Sequence, residues 1–317
     1  MKAITYTQYG LPDVLQLKEV AKPTPKDNEV LVRIKATAVN SGDIRLRKAD
    51  PFAVRFFFGL LRPKVNILGS VFSGKVESAG RLVKRFKAGD DVFGHTDMHF
   101  GAYAEYITVP ESGSLSLKPD NISHDEAAGI PFGGVTALHF LKKVKLQPNQ
   151  KVLVVGASGS VGSAAVQLAK SYGAIVTGVC STSNVDLVKS IGADKVIDYT
   201  KEDFTQRTDI YDLIFDAVNK VSVFQTLKSL TANGTMILSA AGAKEMFQGL
   251  WISAASKRKV LTGVISHNTE DINFLKELIE KGLFKPVIDR IYTLEQIAEA
   301  HAYVEKGHKR GNIAINI

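Results

Sequence analysis

Residues 151 to 170 read Lys151-Val-Leu-Val-Val-Gly156-Ala-Ser-Gly159-Ser-Val-Gly162-Ser-Ala-Ala-Val-Gln-Leu-Ala-Lys170. The apolar, β-branched run 152–155 predicts a buried strand, and the small and apolar residues that recur over 161–170 predict a helix. A second apolar run, 174–179, completes a βαβ unit. This context distinguishes a dinucleotide-binding turn from a chance group of glycines.

The turn itself predicts how a cofactor pyrophosphate is held. Gly159 allows the backbone to approach the phosphates, Gly162 allows the helix to pack on the strand, and the N–H groups of the first helical turn face the anion. Ala157 stands at the first glycine of the usual fingerprint. The alternative is a nucleotide-free doubly wound domain with a tight turn. The predicted phosphate-binding residues are Gly156, Ser158, Gly159, Ser160, Val161 and Gly162.

The segment after the second strand bears on which dinucleotide binds. An enzyme selective for NAD usually carries an acid about 20 residues past the turn, to bind the ribose 2′-hydroxyl. Here the segment has neither an acid nor an Arg or Lys, and its small donors suit a 2′-phosphate. We therefore predict NADPH in preference to NADH. The predicted contacts are Ser181, Thr182, Ser183 and Asn184.

Composition limits the cellular context and the partners. The single cysteine, Cys180, excludes an intramolecular disulfide and suits a reducing, cytoplasmic compartment. The longest apolar cluster, residues 51–61, is too short to span a bilayer, so stable membrane insertion is not expected. The net charge of +8 invites a nucleic-acid interpretation, but the lysines are scattered and form no basic stripe. Nucleic acid is therefore not the expected partner.

The chain shows two styles of sequence. Short alternating runs separated by turn formers over residues 1–123 predict a small, mostly antiparallel barrel-like domain. A capped helix is predicted from Ser123 to about Lys143, broken near Pro131 and Gly133-Gly134. The strand and helix rhythm that follows predicts a doubly wound parallel sheet, inserted into the barrel domain with the cofactor between them. The predicted strands are 152–155, 175–179, 195–197, 213–215, 235–239 and 260–264; the predicted helices are 160–171, 184–190 and 221–230. Helices at 270–281 and 294–305 and a strand at 312–317 complete the chain.

Several motifs now add up to a family resemblance. They are Tyr9-Gly-Leu-Pro-Asp-Val-Leu15, Ala38-Val-Asn-Ser-Gly-Asp43, Phe86-Lys-Ala-Gly-Asp-Asp-Val-Phe-Gly94, Gly101-Ala-Tyr-Ala-Glu-Tyr106 and Ile191-Gly-Ala-Asp194, together with the phosphate turn. In this order and spacing, the chain resembles the medium-chain dehydrogenase/reductase superfamily, in its zinc-free quinone oxidoreductase branch. The resemblance implies an α/β plus β fold: a GroES-like catalytic domain (1–123 and 266–317) and a Rossmann nucleotide-binding domain (124–265).

The resemblance also implies an activity. Members of this quinone oxidoreductase branch reduce quinones or α,β-unsaturated carbonyls with NADPH. The resemblance also implies a homodimer through the edge of the nucleotide sheet. The alternatives are an enoyl-thioester reductase and a non-catalytic NADPH-binding protein of the same fold. The thioester reductases tend to carry a tyrosine soon after the Asn40 segment, and residues 44–50 contain none.

No zinc is expected. Zinc alcohol dehydrogenases need three protein ligands and an open position. By resemblance, Asn40 replaces their first cysteine, Gly69-Ser70-Val71 replaces their Gly-His-Glu segment, and residues 129–131 offer no third ligand. The loop His95-Thr-Asp-Met-His99 leaves two interpretations open, a metal chelate or a polar loop between glycines.

The resemblance also suggests site residues. Asn40, Ser41 and Tyr103 are candidate hydrogen-bond donors to the substrate carbonyl, and Asp43 either orients their loop or caps a turn. Asn219 stands where a glycine is common, and asparagine tolerates positive φ. Phe52, Phe56, Phe57 and Phe58 form either an apolar lid or a core helix or dimer contact. Further cofactor contacts expected by resemblance are Thr136, Tyr199, Ala240, Gly242, Val264, Arg310 and Asn312.

Overall fold

The computed structural model of the chain describes residues 1–206, 208, 210–266 and 268–317. The chain divides into two compact units. Unit 1 comprises Met1–Phe132, His267–Glu280 and Pro286–Ile317, and unit 2 comprises Gly133–Ser266 and Lys281–Lys285. Unit 2 is thus inserted into the sequence of unit 1. Strands β1–β15 and helices α1–α9 are numbered below along the whole chain.

Unit 1 is built mainly from strands. β1 (Lys2–Thr5) and β2 (Gln16–Glu19) form an antiparallel pair. A larger sheet has the order β14-β15-β3-β4-β5-β7, with β6 paired to β3. Its interior is filled by Val30, Val32, Phe72 and Leu115, which are all buried. The strand bounds are β3 (Glu29–Val39), β4 (Val71–Ala79), β5 (Asp91–His95), β6 (Tyr106–Pro110), β7 (Ser114–Leu117), β14 (Ile288–Thr293) and β15 (Asn312–Asn316).

Helices complete unit 1. They are α1 (Ser41–Lys48), α2 (Val54–Phe58), α8 (Thr269–Glu280) and α9 (Ile297–Glu305). A second apolar core joins β1 to α9 and β15, with Ile4, Leu68, Ile297 and Ile313 almost fully buried. This core surrounds the polar side chains of the candidate site described below.

Helix α3 (His124–Val144) is continuous through Pro131, so the predicted break near Pro131 is wrong. The lost hydrogen bond and ring clash of an interior proline cost about 3 kcal/mol. Ile130, Val135 and Leu138 are buried, and each contributes about 1.5–3 kcal/mol, which outweighs that cost. The predicted cap is confirmed: the N–H of Glu126 donates to Oγ of Ser123, and the N–H of Ser123 donates back to Glu126.

Unit 2 holds a parallel sheet of the order β10-β9-β8-β11-β12-β13 within the described residues. Counted from β8, this is strand order 3-2-1-4-5-6, that of the Rossmann fold. The predicted fold class, a doubly wound parallel sheet inserted into a β domain, is confirmed. The bounds are β8 (Lys151–Val155), α4 (Ser160–Ser171), β9 (Ile175–Cys180), α5 (Val185–Ser190), β10 (Lys195–Asp198), β11 (Tyr211–Asp216), α6 (Val223–Thr226), β12 (Leu230–Leu238), α7 (Ala243–Ala255) and β13 (Lys259–Leu261).

Some elements of unit 2 differ from the predicted ones. The predicted helix 221–230 is only the single turn of α6 followed by a 3₁₀ turn, Leu227–Ser229. β12 starts five residues earlier than predicted, because a register irregularity lets Tyr211 pair with Leu230 before the regular pairing resumes. Helix α7 was not predicted, since its apolar residues lie on several faces and show no clean period.

Candidate active site

The phosphate turn joins β8 to α4 in unit 2. Gly156 has φ +78°, a left-handed conformation that favours glycine. Gly159 is the N-cap of α4 and, as a glycine, makes no side-chain capping hydrogen bond. An α-helix leaves the N–H groups of its first turn without intrahelical acceptors. The start of α4 therefore presents backbone donors and the positive end of a helix dipole to an anion.

Glycines allow the backbone segments around this turn to approach closely. A Cβ on Gly162 would overlap the carbonyl of Gly156 and lie 3.0 Å from Cα of Ala157, which makes the strand–helix contact possible only with glycine. A Cβ on Gly133 of α3 would overlap the backbone of Ser160. Gly159 differs, since its nearest neighbour would be the Gly156 oxygen at 3.5 Å. The protein itself does not need a glycine at 159, so that position leaves open room beside the helix start.

The segment after β9 is joined to the phosphate turn. Nδ2 of Asn184 donates to Oγ of Ser158 and to Oγ of Ser181, each at 3.1 Å. Oδ1 of Asn184 is buried and has no partner within the described part of the chain. The predicted cofactor residues at the phosphate turn and after β9 are thus hydrogen bonded to each other, and Oδ1 of Asn184 is an acceptor that they do not use.

An acid lies beside this cradle that the linear sequence does not place there. Asp198, at the end of β10, accepts a hydrogen bond of 2.5 Å from Oγ1 of Thr182. It also accepts from the N–H and hydroxyl of Thr200, and Lys201 lies 3.5 Å away. The hydrogen bond from Thr182, followed by those from Thr200, lowers the pKa of Asp198 to about 2. Both carboxylate oxygens of Asp198 are already engaged, and Tyr199 beside it is 54% exposed.

The remaining predicted cofactor residues lie on separate elements. In unit 2, Thr136 is buried on α3, Ala240 and Gly242 follow β12, and Val264 follows β13 and is almost fully exposed. Gly242 caps α7 and donates its N–H to Glu245.

In unit 1, the N–H of Arg310 donates to Asp289, and the side chain of Asn312 donates to the carbonyl of Val287. Asn219 adopts φ +52°, as expected, and Asp216 holds its loop by accepting its N–H.

In unit 1, the candidate substrate-side residues gather at the start of α1. Asn40 is the N-cap: its Oδ1 accepts from the N–H groups of Gly42 and Asp43, at 2.8 and 3.2 Å. Its Nδ2 donates to Oγ of Ser70 at 3.0 Å. One further N–H of the Asn40 amide and the hydroxyl proton of Ser70 are not used by any residue the structure describes. Ser41 is exposed at the first position of α1. Ser70 was not among the predicted donors.

Asp43 is the N3 residue of α1, and its side chain completes a capping box with Asn40. Its carboxylate accepts from the N–H of Asn40 at 3.0 Å and from the N–H of Gly69 at 3.3 Å, so it ties α1 to the segment that carries Ser70. Burial raises the pKa of Asp43 from 3.8 to about 7, against the opposing effect of its hydrogen bonds. Tyr103 is also completely buried, and its hydroxyl lies beside Asp43, where it lowers the pKa of that carboxyl.

Residues expected to replace zinc ligands lie together without a metal geometry. Asn40 and Ser70 are directly hydrogen bonded, and neither is a typical zinc ligand. The loop 95–99 is occupied internally: Nδ1 of His95 accepts the N–H of Asp97 at 2.7 Å. Across the described ranges, no group of three His, Cys, Asp or Glu side chains is placed to hold a metal ion.

The phenylalanine cluster lies at the surface of unit 1. Phe52, Phe56 and Phe57 are 61%, 68% and 77% exposed, so the core-helix interpretation is wrong for these three. Only Phe58 packs inward, against Phe100 at a centroid distance of 5.9 Å. A five-residue helix cannot bury all sides: α2 points Phe56 and Phe57 outward, and Phe52 lies before the helix. In the described portion of the chain, no helix is long and apolar enough to cross a membrane.

Two family models match parts of the chain. Residues 26–120 match the family model of the alcohol dehydrogenase GroES-like domain, and residues 191–315 match that of a zinc-binding dehydrogenase. The chain is 34% identical to a 2-methylene-furan-3-one reductase of Solanum lycopersicum, over 100% of this chain and 79% of the relative. It is 32% identical to a chloroplastic NADPH-dependent alkenal/one oxidoreductase of Arabidopsis thaliana, over 99% and 79%.

A solved structure agrees over the full length. The quinone oxidoreductase from Coxiella burnetii superposes with a TM-score of 0.90 at 28% identity and covers 100% of this chain and 99% of its own. The two plant relatives are more than 30% identical to this chain, and the chain covers 79% of each, which shows membership of the family and not only a shared fold. The chain belongs to the medium-chain dehydrogenase/reductase superfamily, in its quinone oxidoreductase-like branch.

Proposed function

We propose that the chain reduces quinones or α,β-unsaturated carbonyls with NADPH. The observation that carries this proposal is the start of α4, where the N-cap Gly159 has no capping side chain and leaves open space that suits a pyrophosphate. Relatives named as an alkenal/one oxidoreductase and a quinone oxidoreductase support the reaction class. In this proposal unit 2 corresponds to the predicted nucleotide-binding domain and unit 1 to the predicted catalytic domain.

The residues of unit 2 suit the cofactor. The backbone from Gly156 to Gly162 would hold its pyrophosphate, and the segment from Ser181 to Asn184, with Tyr199, its adenosine. We favour NADPH over NADH because both oxygens of Asp198 are already engaged and Lys201 offsets its charge. The relative named as NADPH-dependent supports this choice. When bound, NADPH supplies a hydride.

The residues of unit 1 suit a carbonyl oxygen on which negative charge develops. The second amide N–H of Asn40 and the hydroxyl of Ser70 are two adjacent donors with no other described acceptor. Donors fixed in advance stabilise such charge without reorganising during the reaction. The capping of α1 fixes Asn40, and Asp43 holds Gly69 in place next to Ser70. Tyr103 acts in this proposal by holding Asp43 rather than by touching the substrate.

A catalytic zinc does not fit these residues. A zinc site needs three protein ligands, and the positions expected to supply them hold an amide and a hydroxyl already bonded to each other. Asn40 and Ser70 are donors suited to an oxygen atom of the substrate. We therefore propose a zinc-independent reaction, with polarisation of the carbonyl by hydrogen bonds alone.

We also propose a homodimer through unit 2. Helix α7 exposes Phe247, Leu250 and Trp251 at 74%, 70% and 63%, next to β13, which is an edge strand of the sheet. An exposed apolar face beside an unpaired strand edge fits association with a second copy. We also propose a cytoplasmic compartment, because a chain with one cysteine forms no intramolecular disulfide.

A panel of acceptors tests the function. We expect NADPH oxidation with a benzoquinone, an enone or an enal, followed by absorbance, and no dependence on added zinc. Turnover of an enoyl thioester alone would replace the proposal with a thioester reductase. Tight NADPH binding without turnover of any acceptor would replace it with a non-catalytic binding protein.

A further inference from the structure

Unit 1 buries two polar side chains that the proposed reaction does not use. Arg47 on α1 and His301 on α9 are both completely buried, as are Asp43 and Tyr103. Nε of Arg47 lies 3.3 Å from Nδ1 of His301, and Nε2 of His301 lies 3.2 Å from the hydroxyl of Tyr103. These two contacts form a chain of hydrogen bonds that ends at Tyr103, whose hydroxyl lies beside the Asp43 carboxylate and lowers its pKa.

The donors in this chain point in one direction. A guanidinium only donates, so Nδ1 of His301 accepts from Arg47 and the imidazole proton lies on Nε2. Nε2–H then donates to the oxygen of Tyr103, whose own proton is left to donate to Asp43. Burial, reinforced by the charge of Arg47, lowers the pKa of His301 to about 3, which keeps the imidazole neutral. The chain therefore ends with a proton donor directed at the Asp43 carboxylate.

The other end of the chain is anchored at the surface. Nη1 of Arg47 donates to the carbonyl of Gly10 at 2.5 Å, and its guanidinium pairs with Glu305, whose side chain is 22% exposed. Burial lowers the pKa of Arg47 to about 10, so it remains a cation at neutral pH. A buried charge with several partners holds one geometry, because any other would leave it unpaired.

We propose that Arg47 and His301 are positioning residues, which orient the Tyr103 hydroxyl toward Asp43 and so favour the ionised carboxylate that orders Asn40 and Ser70. The proposal rests on the proposed function in assigning Asn40 and Ser70 to the substrate. An ionised Asp43 accepts all three donors that face it, namely the N–H of Asn40, the N–H of Gly69 and the Tyr103 hydroxyl. A protonated Asp43 must give up one of them.

The proposal predicts a pH dependence centred on Asp43, whose pKa burial raises to about 7. The titratable and charged groups around it and its chain of partners are Tyr6, Tyr103, Arg47, His301, Asp13 and Glu305. Hydrogen bonds to a carboxylate lower its pKa, so removing the Tyr103 donor or its orientation raises the pKa of Asp43 further. When the pH is lowered, the site then becomes disordered at a higher pH than in the wild type.

The test compares His301→Leu with His301→Gln in the full-length protein. Glutamine can accept from Arg47 through Oε1 and donate to Tyr103 through Nε2, whereas leucine can do neither. Carbon-13 NMR of the aspartate carboxyls gives the titration of Asp43 directly. We expect His301→Leu to raise the pKa of Asp43 by about 1 unit and His301→Gln to leave it near the wild-type value. At pH 7 the ionised fraction then falls from about one half to about one eleventh.

The kinetic consequence is a shift of the acidic limb of kcat/KM by about the same amount, hence about a fivefold loss at pH 7 in His301→Leu alone. Tyr103→Phe removes only the hydroxyl and serves where His301→Leu fails to fold; we expect the same rise in the Asp43 pKa. An unchanged Asp43 titration in these variants, or equal shifts in the leucine and glutamine variants, would overturn the proposal. The carboxyl titration requires neither cofactor nor acceptor, so it decides this proposal even if the proposed reaction fails.

Discussion

Replacing Gly159 by alanine separates the binding of the cofactor from the stability of the fold. A Cβ at this position would meet only the Gly156 oxygen, at an ordinary 3.5 Å, and the backbone of Gly159 has φ −82°, which alanine adopts freely. The methyl group fills the open space where the pyrophosphate is proposed to approach. Loss of one charge-assisted hydrogen bond costs about 1.5–3 kcal/mol, so we expect NADPH to bind about 10- to 150-fold more weakly.

The fold itself should lose little in that variant. Gly-to-Ala at a helix N-cap costs at most about 1 kcal/mol. Gly162→Ala is the matched contrast, because its Cβ overlaps the backbone of Gly156 and the strand–helix contact must open. We expect that variant to lose about 1–3 kcal/mol of unfolding free energy as well as NADPH affinity. The assays are NADPH titration by fluorescence and urea unfolding of the cofactor-free protein. Wild-type NADPH affinity in Gly159→Ala would refute the assignment of the phosphate site.

Three further outcomes follow from the structure. Burial raises the pKa of Asp43 from 3.8 to about 7, so between these pH values the folded protein keeps a proton that the unfolded chain loses. The free energy of unfolding of the wild type should therefore fall by about 4 kcal/mol between about pH 4 and pH 7, relative to that of Asp43→Asn. Urea-unfolding stabilities of the two proteins that change in parallel with pH would contradict this. Ser183→Lys adds a cation to an exposed position beside Asn184. In calorimetric titrations it should raise the affinity for NADPH about fivefold and leave the affinity for NADH unchanged. Equal gains for both cofactors would argue against a 2′-phosphate site there. Trp251→Asp should convert the dimer to a monomer in light scattering, whereas Phe57→Asp should leave the mass unchanged; the reverse result would place the interface at α2.

Local backbone rules explain which parts were predictable from the sequence. The phosphate turn was found because strand, glycine turn and helix lie within 20 adjacent residues, and its close contacts depend on glycine itself. The capping pair Ser123 and Glu126 is equally local. In contrast, Tyr103 and His301 meet across 198 positions of sequence, and no spacing rule connects them.

Tertiary packing overrides local preference at the points where prediction failed. Pro131 argues for a helix break, but the buried residues around it stabilise α3 by more than the proline costs. Asp198 was missed because the acid near Thr182 comes from the next strand of a parallel sheet rather than from the same segment. The sequence left a lid, a core helix or a dimer contact open for the phenylalanines of the α2 region; three of them lie on the surface, and composition alone does not distinguish these cases.

Deuterium transfer tests the central claim most directly. The chain, pretreated with a chelator, is incubated with an enone and NADPH that carries deuterium on the transferable position of the nicotinamide C4. We predict one deuterium on the β-carbon of the saturated product, with its amount unaffected by the chelator. A product without deuterium, or turnover that disappears with the chelator and returns with zinc, would contradict metal-independent hydride transfer.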